Sequence, residues 1–382
     1  MSLKFGAFMA PFHSLNEDPT IALWRHLELI EWLDTLGIDE AWVGEHHSGG
    51  FSPVACPELL LAAAVERTRR IKLGTGVVSL PYHHPLTVAE RLVQLDHQSR
   101  GRIIMGMGAG VSPADAYMMG IEAADQRRRM AESLDAVVKL LTTTEPVNAK
   151  TDWFELREAR LQLRPYSEPL FDLAVAGAGS ERGMRLAGKY GLGSLTFAGR
   201  PGMKDLPLAP LWQAAEDEAA QHGTTVDRSK WRVAVCLHLA DTTEEAKDQV
   251  RPGMTHWFKE CVRDTFGAPA TLPVGREVDA AVEARTVIVG SVDDAIEAIE
   301  RMLQESGGFG TLLVNTHDWA TREQVKHSFE LLARYVAPHF SGALTGIRAS
   351  QRWMAANKEK FALEGGAAAQ AAAAASAAPV QG

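Results

Sequence analysis

The stretch DEAWVGEHHSGG (residues 39–50) runs an apolar segment straight into a carboxylate and two imidazoles, then stops on glycines. A strand inside a sheet has no use for such an ending, but a strand whose C-terminal end opens on a functional site does. The next apolar run ends in the same way: IKLGTGVVSLPYHHP (71–85) delivers Tyr82, His83 and His84. Between the two lies PELLLAAAVERT (57–68), apolar at helical spacing and opened by Pro57, which suits a first helical turn. Strand, polar end, helix, strand is the repeating unit.

Outward from these units the alternation continues. KFGAFMA (4–10) is a strand, and ALWRHLELIEWLDTLG (22–37) follows it as a helix with Leu23, Leu27, Ile30 and Leu33 on one face. Further strands are read at 103–110, 171–179, 192–197, 231–240 and 309–316. Further helices are read at 86–99, 127–142, 180–191, 205–221, 243–263, 291–306 and 322–340. Many strands are near-continuous apolar runs, as strands covered on both faces should be. Eight such units predict an α/β fold of the (β/α)8 TIM-barrel type more than a doubly wound sheet. Two segments fall outside the repeat, 143–170 and 264–288, and are expected as insertions after strands four and seven. They would cover the catalytic face or decorate the surface. Residues 1–345 are assigned to the barrel and 346–382 to a C-terminal extension, whose last 19 residues (364–382) are low in complexity and expected to be disordered.

Composition narrows the function classes. At 46% hydrophobic and 23% charged residues, the chain has material for a sizeable core. A net charge of −9 argues against nucleic acid or an anionic membrane surface as the main partner. Cys56, Cys236 and Cys261 lie far apart and form no CxxC pair, which fits a reducing cytoplasm. No apolar run reaches the ~18 residues of a membrane helix. The start, MSLKFGAFMAPF, reads as a first strand and not as a signal peptide.

In a TIM barrel the chemistry sits at the C-terminal ends of the strands, so the residues there are the candidates. Metal binding by the imidazole pairs is disfavoured, because neighbours in a strand point to opposite sides and rarely ligate one ion. For His46 two readings stand: a buried imidazole satisfied by a neighbouring strand, or a general acid/base beside a bound ligand. The second is preferred because imidazole titrates near working pH. GMGAG (106–110) lacks the spacing of a dinucleotide fingerprint, and its glycines are read as room for a flat ring to approach the backbone. AGAGSERG (176–183) ends a strand in small residues and starts a helix at about Ser180. Free N–H groups and the helix dipole there make an anion site, with phosphate the usual guest; a plain tight turn is the alternative. Arg128, inside an RRR run at the start of the fourth helix, is within the same region of the pattern, although such runs are usually solvated faces.

Together, KFGAFMAPF, GIDEAWVGEHH, IKLGTGVVSLPYHHP, LDHQSRGRIIMGMGAG, VAGAGSERGMRLAGKYG and IVGSVDDAIEAIERM resemble, in order, the bacterial luciferase-like flavin-dependent monooxygenases. The resemblance runs from about residue 3 to 340, and PYHHP looks most like the subgroup of limonene 1,2-monooxygenase and the diketocamphane-type ketone oxidisers. It implies a TIM barrel that takes reduced FMN from a separate NAD(P)H-dependent flavin reductase. With O2 it would oxygenate a small apolar substrate through a C4a-(hydro)peroxyflavin. The substrate would be a monoterpene alkene such as limonene, or a cyclic ketone or aldehyde.

Residue by residue, the resemblance implies His46 as the catalytic base and Gly76–Val77 as a non-prolyl cis peptide beneath the flavin ring, with Met107 and Gly108 near that ring. It implies Gly179, Ser180 and Gly183 as the loop that holds the FMN phosphate, and Arg128 as a phosphate-binding arginine. A homodimer through helices two and three is implied as well. The luciferase pattern breaks at Gly108, where a reactive cysteine is absent, and at Ala109, where a phosphate-binding arginine is absent, so light emission is not the expected role. The alternatives are an F420-dependent oxidoreductase of the same fold, a non-catalytic flavin-binding protein and a metal-dependent barrel hydrolase.

Overall fold

The structure is a computed structural model and describes residues 2–9, 12–177, 180–199, 201, 207–268 and 271–377. Eight parallel strands close on themselves: β1 (Lys4–Met9), β2 (Glu40–Val43), β3 (Lys72–Thr75), β4 (Ile103–Gly108), β5 (Asp172–Ala176), β6 (Gly193–Phe197), β7 (Trp231–Leu239) and β8 (Thr311–Asn315). Each pairs with the next, and β8 returns to β1 with Lys4 opposite Thr311 and Phe8 opposite Asn315. Around them run α1 (Pro19–Leu36), α2 (Pro57–Arg67), α3 (Pro85–Ser99), α4 (Gln126–Thr142), α5 (Glu181–Tyr190), α6 (Leu208–His222), α7 (Thr243–Trp257), α8 (Val292–Ser306) and α9 (Arg322–Leu331). This is the predicted (β/α)8 barrel. α1 starts three residues before the expected position because Asp18 caps it, its carboxylate accepting from the N–H groups of Thr20 and Ile21.

Side chains fill the barrel. Phe8, Trp42, Ile104, Ala174, Leu195, Ala234 and Leu313 form the interior cluster, with Val77 and Phe197 packed on it. The Trp42 indole fits because two neighbouring strands carry glycine where it lies. A Cβ on Gly74 would come within 2.6 Å of Trp42 Cδ2, and one on Gly106 within 2.7 Å of Cζ3. Part of GMGAG thus does admit a flat ring, but the ring is the chain's own. Arg232 is buried and donates to Glu40 at 3.0 Å and to Asp172 at 3.1 Å, while Trp42 Nε1 donates to Glu40 at 2.8 Å. Burial alone would raise the Asp172 pKa, but Arg232, Lys72 and Lys230 hold it at about 2.

Both expected insertions are present, with more order than the sequence suggested. Within 143–170, strands Val147–Lys150 and Glu155–Ala159 form an antiparallel hairpin. Its tip leans on the first turns of α3 and α4: Trp153 Nε1 donates to Glu132 at 2.7 Å, and the Phe154 ring lies 6.2 Å from that of His84. The second insertion ends in a ninth parallel strand, Val287–Gly290, paired with Cys236–Leu239. β7 is nine residues long and outruns its barrel neighbours, so its free edge needs a partner. Val278 and Val287 of that insertion pack into a core with Val250, Met254, Phe258 and Trp319 from its neighbours.

Contacts divide the chain into two units, Met1–Ala337 and Pro338–Gly382. In the second, helices occupy Thr345–Ala356 and Lys358–Ala377, across the low-complexity tract expected to be disordered. Alanine has the highest intrinsic helix propensity, which favours this backbone even where there is little to bury. None of the described helices is long and apolar enough to cross a membrane.

Candidate active site

The C-terminal ends of the strands gather the polar residues singled out in the sequence. After β2 the chain is tied down by Gly44 N–H to the Met9 carbonyl and His46 N–H to the Val54 carbonyl, both at 3.0 Å. Glu45 turns inward and is buried. One of its oxygens accepts from His47 Nε2 at 2.9 Å and from His83 Nε2 at 2.8 Å; the other accepts Ser79 N–H at 2.7 Å. Burial would raise this carboxyl's pKa, but the three donors outweigh it and hold Glu45 at about 2. The hydrogen bond to Glu45 in turn raises His47. His46 goes the other way: burial lowers it, against the opposing pull of Asp115 and Glu45. Among the described residues the His46 ring makes no hydrogen bond, so both of its nitrogens are uncommitted.

The next two strand ends interlock beside it. The Gly76–Val77 peptide is cis, as the resemblance implied. A Cβ on Gly76 would come 2.7 Å from Phe8 Cε2, and one on Gly108 would come 2.5 Å from Val77 Cγ2, so both glycines admit a neighbour's side chain. Val77 is half-buried on top of the interior cluster. Met107 is fully buried, and strand alternation from Ile104 turns its side chain toward the helices, leaving only its main chain at the mouth. Gly110 has φ +75° and lies against Tyr82, whose hydroxyl accepts from Gln126 Nε2 at 2.8 Å. Burial, with Asp115 and Glu45, pushes the Tyr82 phenol up to about 12. Ser48 and Ser112 complete this side, Ser48 donating to Asp115 and Ser112 Oγ accepting Asp115 N–H at 3.3 Å.

Beyond β5 lies the expected anion site. Gly179 falls outside the described residues. Ser180 is exposed and its hydroxyl does not cap α5, so among the described residues no side chain caps the first-turn N–H groups. Gly183 allows the close seating of α5, since a Cβ there would run into the Ala176 carbonyl. Arg128 is placed differently from the simple expectation. Its guanidinium pairs with Glu132 at 2.9 Å, Asp125 at 3.2 Å and Asp152 at 2.7 Å. Asp152, from the hairpin tip, is the most exposed of the three.

The sequence reading missed the wall beyond β8. Phe12 and His317 stack at 5.0 Å, His317 and Trp319 at 4.5 Å, and Trp257 meets His317 edge-on at 5.2 Å. Burial lowers His317 to about 4. Asn315 Nδ2 donates to Cys236 Sγ at 3.7 Å, while Asn315 Oδ1 is buried without a partner. The available signal was NTHDW (315–319), another apolar strand ending in polar and aromatic residues. Nearby, His13, Glu17 and Asp318 bring metal-type ligand atoms within 4.8 Å of one another, but Arg25 already ion-pairs with both carboxylates.

These residues fit a flat phosphorylated ring. The uncapped start of α5 suits the anion, and the cis Gly76–Val77 step over an apolar interior suits the ring. In line with this, the chain matches the luciferase-like monooxygenase family over residues 3–309. It is 52% identical to 4-hydroxyprotoasukamycin monooxygenase of Streptomyces nodosus subsp. asukaensis, covering 92% of this chain and 96% of that one. It is 46% identical to limonene 1,2-monooxygenase of Rhodococcus erythropolis, covering 90% and 88%. Among solved structures, the oxygenating constituent of 3,6-diketocamphane monooxygenase from Pseudomonas putida, a type II Baeyer–Villiger enzyme in complex with FMN, superposes with a TM-score of 0.76 at 26% identity, covering 88% of this chain and 98% of that one.

Proposed function

The chain belongs to the luciferase-like monooxygenase family, and from that premise we propose that it is the oxygenating component of a two-component cytoplasmic system. It takes reduced FMN from a separate NAD(P)H-dependent flavin reductase and inserts one atom of O2 into a small apolar substrate. A monoterpene alkene such as limonene, or a cyclic ketone or aldehyde, is the substrate class. Support comes from the relatives' activities and from the apolar residues at the mouth: Phe8, Phe12, Val77, Phe197 and Trp257.

Bound reduced FMN would supply the electrons and the position at which O2 is activated. The α5 N–H groups and Ser180 would hold the phosphate, with Gly179 beside them and Arg128 joining if it leaves Asp152. Gly76–Val77 would carry the ring, beside Gly108 and the Met107 main chain. The aromatic walls keep water from the reacting centre. His46 takes or returns the proton on the oxygen side of the reaction; whether that proton is on or off selects an electrophilic oxygen for an alkene or a nucleophilic one for a carbonyl.

The observation that carries this reading is His46 itself: a half-buried imidazole after β2 whose pKa is lowered by desolvation and whose ring has no hydrogen bond among the described residues. The experiment is a substrate panel of monoterpenes, cyclic ketones and aldehydes with FMN, a flavin reductase, NADH and 18O2. One 18O atom per product is expected. FMN-independent hydride transfer with reduced F420, or flavin binding without turnover of any substrate, would overturn it. A homodimer is part of the proposal: Leu59 is 73% exposed on α2, and Trp24 and Ile21 are exposed on α1. Light scattering of the purified protein reads that directly.

A further inference from the structure

Glu45 lies between two imidazoles that come from different strands, His47 from the loop after β2 and His83 from the loop after β3. Both donate through Nε2, at 2.9 and 2.8 Å, to the same carboxylate oxygen, and the second oxygen takes Ser79 N–H. The Glu45 side chain has no exposed surface, while His47 and His83 keep 15% and 21% of theirs. An ionised carboxylate can only accept, so each Nε2 must carry its hydrogen and each Nδ1 is left to bind or release a proton.

We propose that Glu45 is the positioning residue of the mouth: it locks His47 and His83 as Nε2–H tautomers and leaves each ring its Nδ1 as the atom that can take a proton, on the rim that also carries His46. The groups facing this pair are few. His46 adjoins it on the same loop, Tyr82 meets the His47 ring edge-on at 5.7 Å from the loop after β3, and Asp115 faces it from the segment after β4. Asp115 favours the charged form of His47 as Glu45 does, whereas the Tyr82 phenol stays neutral across the working range. The catalytic meaning of the pair, as a local source and store of the proton that His46 handles, rests on the function proposed above. Its geometry and titration do not.

The test uses the full-length, flavin-free protein labelled with 15N-histidine and follows long-range 1H–15N correlations through a pH titration. His47 and His83 should show a pyrrole-like Nε2 and a pyridine-like Nδ1, and His47 should titrate above the ordinary histidine value. In Glu45→Gln the His47 titration should fall toward that ordinary value and both rings should mix tautomers. With enzyme loaded for turnover, kcat should drop by about ten- to a hundredfold with KM within about twofold, because orientation and not binding is lost. His83→Asn provides a second reading if Glu45→Gln does not fold: His47, as the sole imidazole donor to Glu45, should titrate higher than in the parent. Unchanged His47 titration in both variants, or Nδ1–H tautomers in the parent, would overturn the proposal. Loss of 18O incorporation with the tautomer pattern intact would count against the proposed function alone.

Discussion

Phe266 and Gly49 meet across the mouth of the barrel, although one follows β7 and the other follows β2. A Cβ on Gly49 would lie 3.0 Å from Phe266 Cζ, and Gly49 itself has φ +83°, a conformation that side chains rarely adopt. The segment leading to Phe266 is rooted in the core of the second insertion through Phe258 and Met254, while Phe266 stays half exposed. A rooted base with a loosely held tip is the form of a cover over the site. Phe266→Ala should therefore raise the hydrogen peroxide released per product formed, by allowing water to the reacting centre. Unchanged coupling between NADH use and product would remove Phe266 from that role.

His46 carries the proton chemistry in this account. His46→Ala should lower kcat for oxygenation by about 10²–10⁴-fold, the usual span for a general acid/base. FMN affinity, measured by fluorescence titration, should stay nearly intact because the proposed phosphate site lies beyond β5, away from His46. Full turnover in this variant would take His46 out of the mechanism.

The buried ion cluster of Arg232, Glu40 and Asp172 is a separate, structural matter. Arg232→Met leaves a fully buried Glu40 without its cation and should destabilise the fold by about 3–5 kcal/mol. Replacing Glu40 by Gln in the same chain should recover part of that loss. Denaturant midpoints of the single and double variants measure both.

The pH dependence of stability follows from four groups. Burial lowers His26 to about 3 and His317 to about 4, so below the ordinary value near 6.5 the unfolded chain binds protons that the folded one refuses. Their contribution is complete above 6.5 and is lost as pH falls toward 4 and then 3. Glu45 and Asp172, both held at about 2, contribute above the ordinary carboxylate range and lose it as pH falls from about 4.5 to 2. All four act in one direction. The melting temperature should decline from about pH 6.5 downward, and His317→Gln should flatten the upper part of that decline. A melting temperature constant between pH 6.5 and 4.5 would contradict this.

The barrel was legible because its strands are near-continuous apolar runs followed by helices of clear period. β7, buried at all nine positions, is the plainest case. Val287–Gly290 was not legible as a strand, being four residues long inside a polar insertion and created by the overhang of β7. The hairpin at 147–159 was hidden by its mostly exposed, charged side chains. At the strand ends, glycine-rich stretches and histidine pairs pointed to the rim where the structure gathers Glu45, His47, Tyr82 and His83. Their partners did not show: Trp42 fills the space beside Gly106 from two strands away, and Asp152 reaches Arg128 from a hairpin tip. Sequence drew attention to the imidazoles of EHH, whereas convergence in space puts the glutamate at their centre.

The central claim is that one phosphorylated flavin bridges the mouth, from the open N-terminus of α5 to the imidazole of His46. A crystal structure of the protein with FMN tests it most directly. The account predicts phosphate oxygens on the first-turn N–H groups that begin at Glu181, the ring laid on Gly76–Val77, and His46 beside the ring. FMN found with its phosphate away from α5, or its ring out of reach of His46, would contradict it.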